Sequence, residues 1–595
     1  MNIQDRLFAL RSAMGAFGLD AYIVSSADPH LSEYVADHWK FREWLSGFTG
    51  SAGTLVVTEE VAALWTDSRY YLQAEEQLKD SGIDLFKAGL PDTPTYVQWL
   101  AQELLPAQTV GFDGRLFTVE EIRQTMRDLK KHQILVDSNK TLIDEAWPTR
   151  PPIPDNTVFE HSKRIAGYGR RQKFDIIRGE MEKAGATHYV TAALDEIAWT
   201  LNLRGNDVDY NPVFYAYLVI DEETAHLFTN PHKIKASIGK GLAEDDVKTS
   251  LYDDFYDHLK DLFAQESHVY YDPKRTNGAI LSALPATVAK TEGASFIANL
   301  KAIKNEAEKA AIDKAMVKDG VAMVEFWHWL ESSLENEPIT ETSTVKKAKA
   351  FRARHDGFWG ESFATIAGYA ANGAIVHYKP TEGNDAVLKP EGLFLFDSGA
   401  QFAEGTTDLT RTFALGHVDA TAKHDYTLVL KGHIALANAC FPTGTKGYQL
   451  DGFARQFLWN NGLNYGHGTG HGIGCFLNVH EGPHGIGPQP NMVSIDAGMI
   501  TSNEPGLYRT NQYGIRIENL LLVENHCKTE FGAFLKFSTI TLCPIDTRPI
   551  EAALLTDDEL EWLNTYHQTV YKKLEPLLTG QLKTFLANKC RPLER

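Results

Sequence analysis

Four carboxylates at two mirrored spacings constrain this chain most. Asp397 and Asp408 stand eleven residues apart in LFLFDSGAQFAEGTTDLTR, and Glu504 and Glu518, in SNEPG and RIEN, stand fourteen apart. Side chains alternate faces along a strand, and cross-strand partners share a face. A hairpin turning between Phe402 and Ala403 sets Asp397 directly opposite Asp408. A second, turning around Asn511 in NQYG, does the same for Glu504 and Glu518. Two hairpins thus aim four carboxylates into one space, where they repel one another unless cations compensate them. Taken singly, each acid reads as a turn residue or part of a solvated face. The paired spacing predicts a metal centre.

His471 is the candidate fifth ligand. It lies in GHGTGHGIG, with glycine at 466, 468, 470, 472 and 474, a run too glycine-rich for a stable helix. An extended backbone there lets another segment or a substrate approach closely, and along such a strand His467 and His471 share a face. Oxygen-rich coordination with one imidazole and no thiolate favours Mn²⁺, Co²⁺, Fe²⁺ or Zn²⁺. Two such ions, about 3.5–4 Å apart, hold and activate a bridging water.

Several stretches carry a family resemblance: GHGTGHGIGCFLNVHEGP at 466–483, NGAIVHY at 372–378, DEIAWTLNLRGNDVDYNPVF at 195–214 and LTDDELEWLNTYH at 555–567. With the five ligands they resemble the pita-bread metallopeptidases, which include methionine aminopeptidase, prolidase and aminopeptidase P. The likeness is to the aminopeptidase P (Xaa-Pro aminopeptidase) group in its long, three-domain cytosolic form, and it spans essentially the whole chain. It implies an α/β (α+β) protein: two duplicated creatinase-like α/β domains followed by a pita-bread catalytic domain. It also implies removal of the N-terminal residue from peptides with proline in second position, by attack of a hydroxide bridging two metal ions.

The same resemblance assigns roles. Asp408 and Glu518 bridge the metals, Asp397 chelates one ion, and His471 binds the other together with Glu504. Glu504 moves the proton, His480 donates to the oxyanion, and His377 hydrogen-bonds the substrate or intermediate. His467 bounds the proline pocket, while Arg516, with Tyr508, orients a bridging carboxylate. The expected ions are two Mn²⁺, with Zn²⁺ or Co²⁺ as alternatives, and the expected assembly is a homodimer in the cytoplasm. Prolidase, which cleaves Xaa-Pro dipeptides and has two domains, is the nearest rival reading. Methionine aminopeptidase shares the ligands but needs only the last third of this length. A non-catalytic binding protein of the same fold would have no reason to keep all five ligands.

Composition agrees. A chain of 595 residues predicts several domains, and 43 % apolar residues suffice for their cores. A net charge of −20 argues against nucleic acid or anionic membrane as the main partner. Five cysteines without CxxC spacing read as reduced thiols, no apolar run reaches transmembrane length, and the N-terminus lacks a signal-peptide core.

The chain also repeats itself. A helix with Ile3, Leu7, Leu10 and Met14 on one face leads through Gly18 to DAYIVSS; KFDIIRGEMEKAG leads through Gly185 to THYVTAA. AALWTDSRYY at 62–71 has a counterpart in TAHLFTNPHK at 224–233, and the joint WPTRPPIPDN at 147–156 falls between the copies. A long helix from Asn305 to about Leu334 opens a third domain. Boundaries are expected near 150 and 300, giving domains 1–150, 151–300 and 301–595, the last with a C-terminal extension from about 530.

Overall fold

A computed structural model describes residues 1–263 and 266–595. These form two compact units: Met1–Lys163 with Tyr168–Asn299, and Arg164–Gly167 with Leu300–Arg595.

The first unit contains the repeat. Strands β1 (Ala21–Val24), β2 (Thr54–Thr58), β3 (Ala62–Thr66), β4 (Asp84–Lys87), β5 (Thr109–Gly111) and β6 (Leu135–Asp137) form one sheet in the order β4-β3-β2-β1-β5-β6. Strands β7 (His188–Thr191), β8 (Tyr217–Asp221), β9 (Ala225–Phe228), β10 (Val247–Ser250), β11 (His268–Tyr271) and β12 (Ala289–Glu292) form another in the order β10-β9-β8-β7-β11-β12. The two orders are the same, strand for strand. So are the pairing senses: antiparallel for β1 with β2 and for β7 with β8, parallel for β3 with β4 and for β9 with β10.

The matched segments of sequence therefore hold equivalent places, AALWTDSRYY containing β3 and TAHLFTNPHK containing β9. Helix α1 (Ile3–Ala16) buries Leu7, Leu10 and Met14, and α2 (Arg170–Lys183) buries Phe174, Ile177 and Met181. Each is followed by a glycine at positive φ, Gly18 at 67° and Gly185 at 65°, which lets the chain reverse into the first strand of its sheet. The basic and aromatic run at 38–53 lies inside the first copy. Trp39, Phe41, Leu45 and Phe48 are buried, and the Arg42 guanidinium donates to the carbonyls of Phe48 and Gly50.

In the second unit, α3 (Glu306–Ser333) opens at Asn305, whose side chain accepts from Ala307 N and Glu308 N in a capping box. Its buried stripe of Ile312, Met316, Met323, Phe326 and Leu330 follows the helical period. Around it the chain builds a three-stranded sheet with Leu393–Ser398 at its centre and a six-stranded sheet that includes Gly470–Gly472 and Ile500–Asn503. Core clusters cover both: Phe326, Phe394, Phe396 and Phe413 on the first, Leu521, Val523, Leu535 and Phe537 on the second. The predicted ligands lie in these strands or one residue beyond a strand end.

Candidate metal centre

The first hairpin is formed by β13 (Leu393–Ser398), β14 (Ala400–Phe402), β15 (Gly405–Thr406) and β16 (Leu409–Ala414). Its register corrects the expectation from spacing. Phe402 pairs with Gly405, so the turn is at Ala403–Glu404, one residue later than predicted, and Asp397 pairs with Thr410 rather than Asp408. Close packing on α3 fixes Gly405, because a Cβ there would lie 2.9 Å from Ile312 Cγ1. Asp408 is two residues from Thr410 and so stays on the face of Asp397, as its diagonal neighbour.

The second hairpin centres where the spacing puts it. In β19 (Gly506–Arg509) and β20 (Tyr513–Arg516), Gly506 pairs with Arg516 and Arg509 with Tyr513, around Asn511 in the left-handed region at φ 61°. Ile517 N donates to Pro505 O at 3.3 Å beyond the pair, which brings Glu504 and Glu518 level.

His471 sits in the three-residue strand β17 (Gly470–Gly472), between β18 (Ile500–Asn503) and the strand Glu481–Ile486. A Cβ on Gly470 would lie 2.1 Å from Ser502 O, and one on Gly472 2.1 Å from Glu481 O. The glycine spacing thus serves close backbone approach, as expected. The strand is too short to include His467, however, so the two histidines do not share one strand face. His467 Nε2 is instead hydrogen-bonded to Tyr508 OH at 2.8 Å.

His471 Nε2 lies 3.5 Å from Asp408 Oδ2 and 3.4 Å from Glu504 Oε1, while its Nδ1 faces Gly472 O at 3.0 Å. Donor atoms of Asp408, His471 and Glu518 all lie within 4.8 Å of one another. Arg516 lies behind them, fully buried. It donates to Asp397 Oδ2 at 2.6 Å, Tyr508 OH at 2.5 Å and Thr410 Oγ1 at 3.2 Å. Its direct carboxylate partner is thus Asp397, not Asp408 or Glu518 as the resemblance implied. The His480 ring meets His471 edge-on, with centroids 4.3 Å apart. His377 follows Val376, whose carbonyl lies 3.5 Å from Arg516 Nη2.

Electrostatics marks the site. Burial pushes the Glu504 carboxyl up to about 7, with Asp397 adding to the rise and Arg516 opposing it. Burial first, then the neighbouring carboxylates, drives Asp408 and Glu518 well above the usual carboxylate range. Asp397 Oδ1 is buried without a hydrogen-bond partner. An orphaned oxygen of this kind costs about 1–3 kcal/mol. A divalent cation answers both the orphan and the repulsion, so the donor set fits one.

Two supporting residues escaped the sequence reading. Thr410 Oγ1 donates to Glu518 Oε2 at 2.8 Å, and Ser502 Oγ to Glu504 Oε1 at 3.2 Å. Each stands two residues from a ligand (Thr410 after Asp408, Ser502 before Glu504), the spacing that returns a side chain to the same face of a strand. That signal was present in both motifs.

Comparison with known proteins agrees with this geometry. Residues 310–525 match the model of metallopeptidase family M24, and 533–593 that of the C-terminal region of the same peptidases. Residues 6–145 and 149–308 each match a creatinase/prolidase N-terminal domain. Aminopeptidase P2 of Arabidopsis thaliana is 41% identical, covering 100% of this chain and 89% of its own. The probable Xaa-Pro aminopeptidase P of Sordaria macrospora is 42% identical over 98% of each chain. The crystal structure of X-prolyl aminopeptidase from Caenorhabditis elegans, a cytosolic enzyme with a di-nuclear active site, superposes with a TM-score of 0.95, 35% identity and 100% coverage of both chains. With two creatinase-type domains ahead of a catalytic domain whose carboxylates and histidine converge, the chain belongs to metallopeptidase family M24, among its aminopeptidase P members.

Proposed function

We propose that this chain removes the N-terminal residue from peptides with proline in second position, using two divalent ions held by Asp397, Asp408, His471, Glu504 and Glu518. The reading is carried by one conjunction. Asp408, His471 and Glu518 cluster, Glu504 meets His471, and the Asp397 charge acts on the other three carboxylates, in a chain that matches aminopeptidase P relatives end to end. These five side chains would hold the ions between them. When bound, the ions supply Lewis-acid activation of the scissile carbonyl and of water. Mn²⁺ is the expected metal.

The remaining work belongs to side chains. Glu504, at the mouth of the carboxylate cluster and raised toward neutrality, takes the proton of the attacking water and passes it to the leaving nitrogen. His480 donates to the oxygen that becomes negative at the scissile carbonyl. His377 hydrogen-bonds the substrate. His467 borders the proline pocket and is braced by Tyr508, which Arg516 also holds. Arg516 fixes Asp397 from behind.

Proline has a tertiary amide and a pinned φ, so a site that accepts it needs a shaped pocket rather than a backbone N–H contact. Domains 1–150, 151–300 and 301–595, with an extension from about 530, a homodimeric assembly and a cytoplasmic location complete the proposal. The absence of any helix long and apolar enough to cross a membrane, among the described residues, accords with it.

A peptide panel tests the substrate. Xaa-Pro-Xaa tripeptides and longer peptides should lose their first residue. Replacing the proline by alanine, or blocking the terminal amine, should largely prevent cleavage. Rapid hydrolysis of Xaa-Pro dipeptides with longer peptides untouched would install the prolidase reading instead, and preference for Met-Ala peptides that of a methionine aminopeptidase. Sedimentation at micromolar concentration should show a dimer; a single species near 66.4 kDa would refute the assembly.

A further inference from the structure

One buried carboxylate in the catalytic unit has no part in the reaction described above. Glu341, at the first turn of α4 (Glu341–Arg352), is 0% exposed. Its Oε1 accepts from Tyr369 N at 2.7 Å and its Oε2 from Ala386 N at 2.8 Å. Asn372 Nδ2 lies 3.0 Å from both oxygens, and Tyr378 OH donates to Oε2 at 2.9 Å. Its backbone N–H in turn donates to Ala386 O at 3.0 Å. No lysine, arginine or histidine forms an ion pair with this carboxylate among the described residues. Burial raises its carboxyl above the usual range, and these donors oppose the rise. Such a fully satisfied but unpaired buried anion is a demanding arrangement, retained only where many donors are fixed around it.

All four donors come from one stretch, residues 369–386, and from both of its shoulders. The segment between them has little regular structure: a short 3₁₀ turn at Ala370–Ala374, then irregular chain. His377 lies in that chain, directly before Tyr378. The inner shoulder is tied a second time to the metal hairpin. Gly373 and Gly514 touch backbone to backbone, so that a Cβ on Gly514 would lie 1.7 Å from Gly373 O. Val376 O lies 3.5 Å from Arg516 Nη2 on the same hairpin. Glu341 therefore closes a loop that abuts the hairpin of Arg516 and carries His377 next to the latched Tyr378.

We infer that Glu341 is a positioning residue: its carboxylate latches both shoulders of the 369–386 loop and so fixes His377 against the peptide substrate. The inference rests on the role proposed above for His377. Glu341 touches no metal ligand, so its removal should spare the ions while loosening the loop. A loss of geometry of that kind reads as activity, roughly ten- to a hundredfold for displacements near 1 Å.

The experiment compares Glu341→Gln, Tyr378→Phe, His377→Ala and the Glu341→Gln/His377→Ala double variant in the manganese-loaded full-length protein. Glutamine keeps the volume of Glu341 but turns one acceptor into a donor facing donors. Phenylalanine at 378 removes only the hydroxyl. Expected are a kcat/KM lowered at least tenfold by Glu341→Gln and several-fold by Tyr378→Phe, with bound metal per chain unchanged in both. The double variant should be no slower than His377→Ala alone. Should Glu341→Gln not fold, Tyr378→Phe alone decides, through its kcat/KM at unchanged metal content. Normal kinetics for the latch variants beside an impaired His377→Ala enzyme would overturn the latch and leave the proposed role of His377 standing. Normal kinetics for His377→Ala would overturn both. Losses in the double variant that multiply, or metal lost in step with activity, would make Glu341 merely structural and equally end the proposal.

Discussion

Asp408 shows how a single atom class divides the candidate site. It is buried, its neighbours Glu518, Asp397 and Glu504 are all acidic, and its Oδ2 faces His471 Nε2 at 3.5 Å. Asp408→Asn keeps shape but removes one negative charge from a proposed ligand, so turnover should fall below detection while the circular dichroism spectrum stays native. Retained activity with a full metal complement would remove Asp408 from the ligand set. His480, in the role proposed for it, would act differently, since an oxyanion donor is used mainly as charge develops. His480→Ala should lower kcat by about a hundredfold or more with little change in KM; a normal kcat would take His480 out of the mechanism. At this scale the five residues proposed as ligands stand out in the sequence because their residue types and spacing are unusual together. Thr410 and Ser502 were not singled out, because hydroxyls are common and become informative only once a strand face is known. Arg516 was found, but its partner was misjudged. The resemblance implied a bridging carboxylate, whereas the guanidinium reaches from the second hairpin to Asp397 on the first.

Elements explain why one hairpin was read correctly and the other by one residue off. The Glu504–Glu518 hairpin has its centre marked by Asn511, a residue tolerant of positive φ, so turn chemistry and spacing agree. In the Asp397–Asp408 hairpin the register is set by Gly405 against Ile312 of α3, a long-range contact that local sequence does not contain. The duplicated sheets were legible for the opposite reason: helix, glycine and strand recur locally, and the strand order repeats with them. The glycine strand around His471 yields a prediction. Alanine at 472 would put its Cβ 2.1 Å from the carbonyl of Glu481, a backbone atom that cannot rotate away. Overpacking of this kind typically destabilises by about 1–3 kcal/mol. Gly472→Ala should therefore lower the thermal midpoint and weaken metal binding together, because the strand that shifts carries His471 next door. A calorimetric trace and metal titration indistinguishable from those of the parent would show that the strands have room to spare.

For the molecule as a whole, the carboxylate cluster links folding, metal and pH. Without ions, burial and mutual repulsion raise Glu504 to about 7 and hold Asp408 and Glu518 well above the ordinary carboxylate range, while the unfolded chain keeps them near about 4.3 and 3.9. A carboxyl whose folded pKa is raised destabilises the native state when it ionises. The penalty is absent below the unfolded values, grows as pH climbs past them, and for Glu504 is complete above about 7. Divalent ions offset that penalty by keeping the carboxylates ionised and compensated, and protons leave as they bind. The stabilisation gained on adding Mn²⁺ to chelator-treated protein should consequently be small at pH 5 and larger at pH 8, with proton release measurable when the titration is repeated in buffers of different ionisation enthalpy. Chelation should abolish peptide cleavage, and Mn²⁺ should restore it. A thermal shift independent of pH, or one that shrinks as pH rises, would mean that these carboxylates are not the groups the metal displaces protons from, and the five-ligand assignment would fall with it.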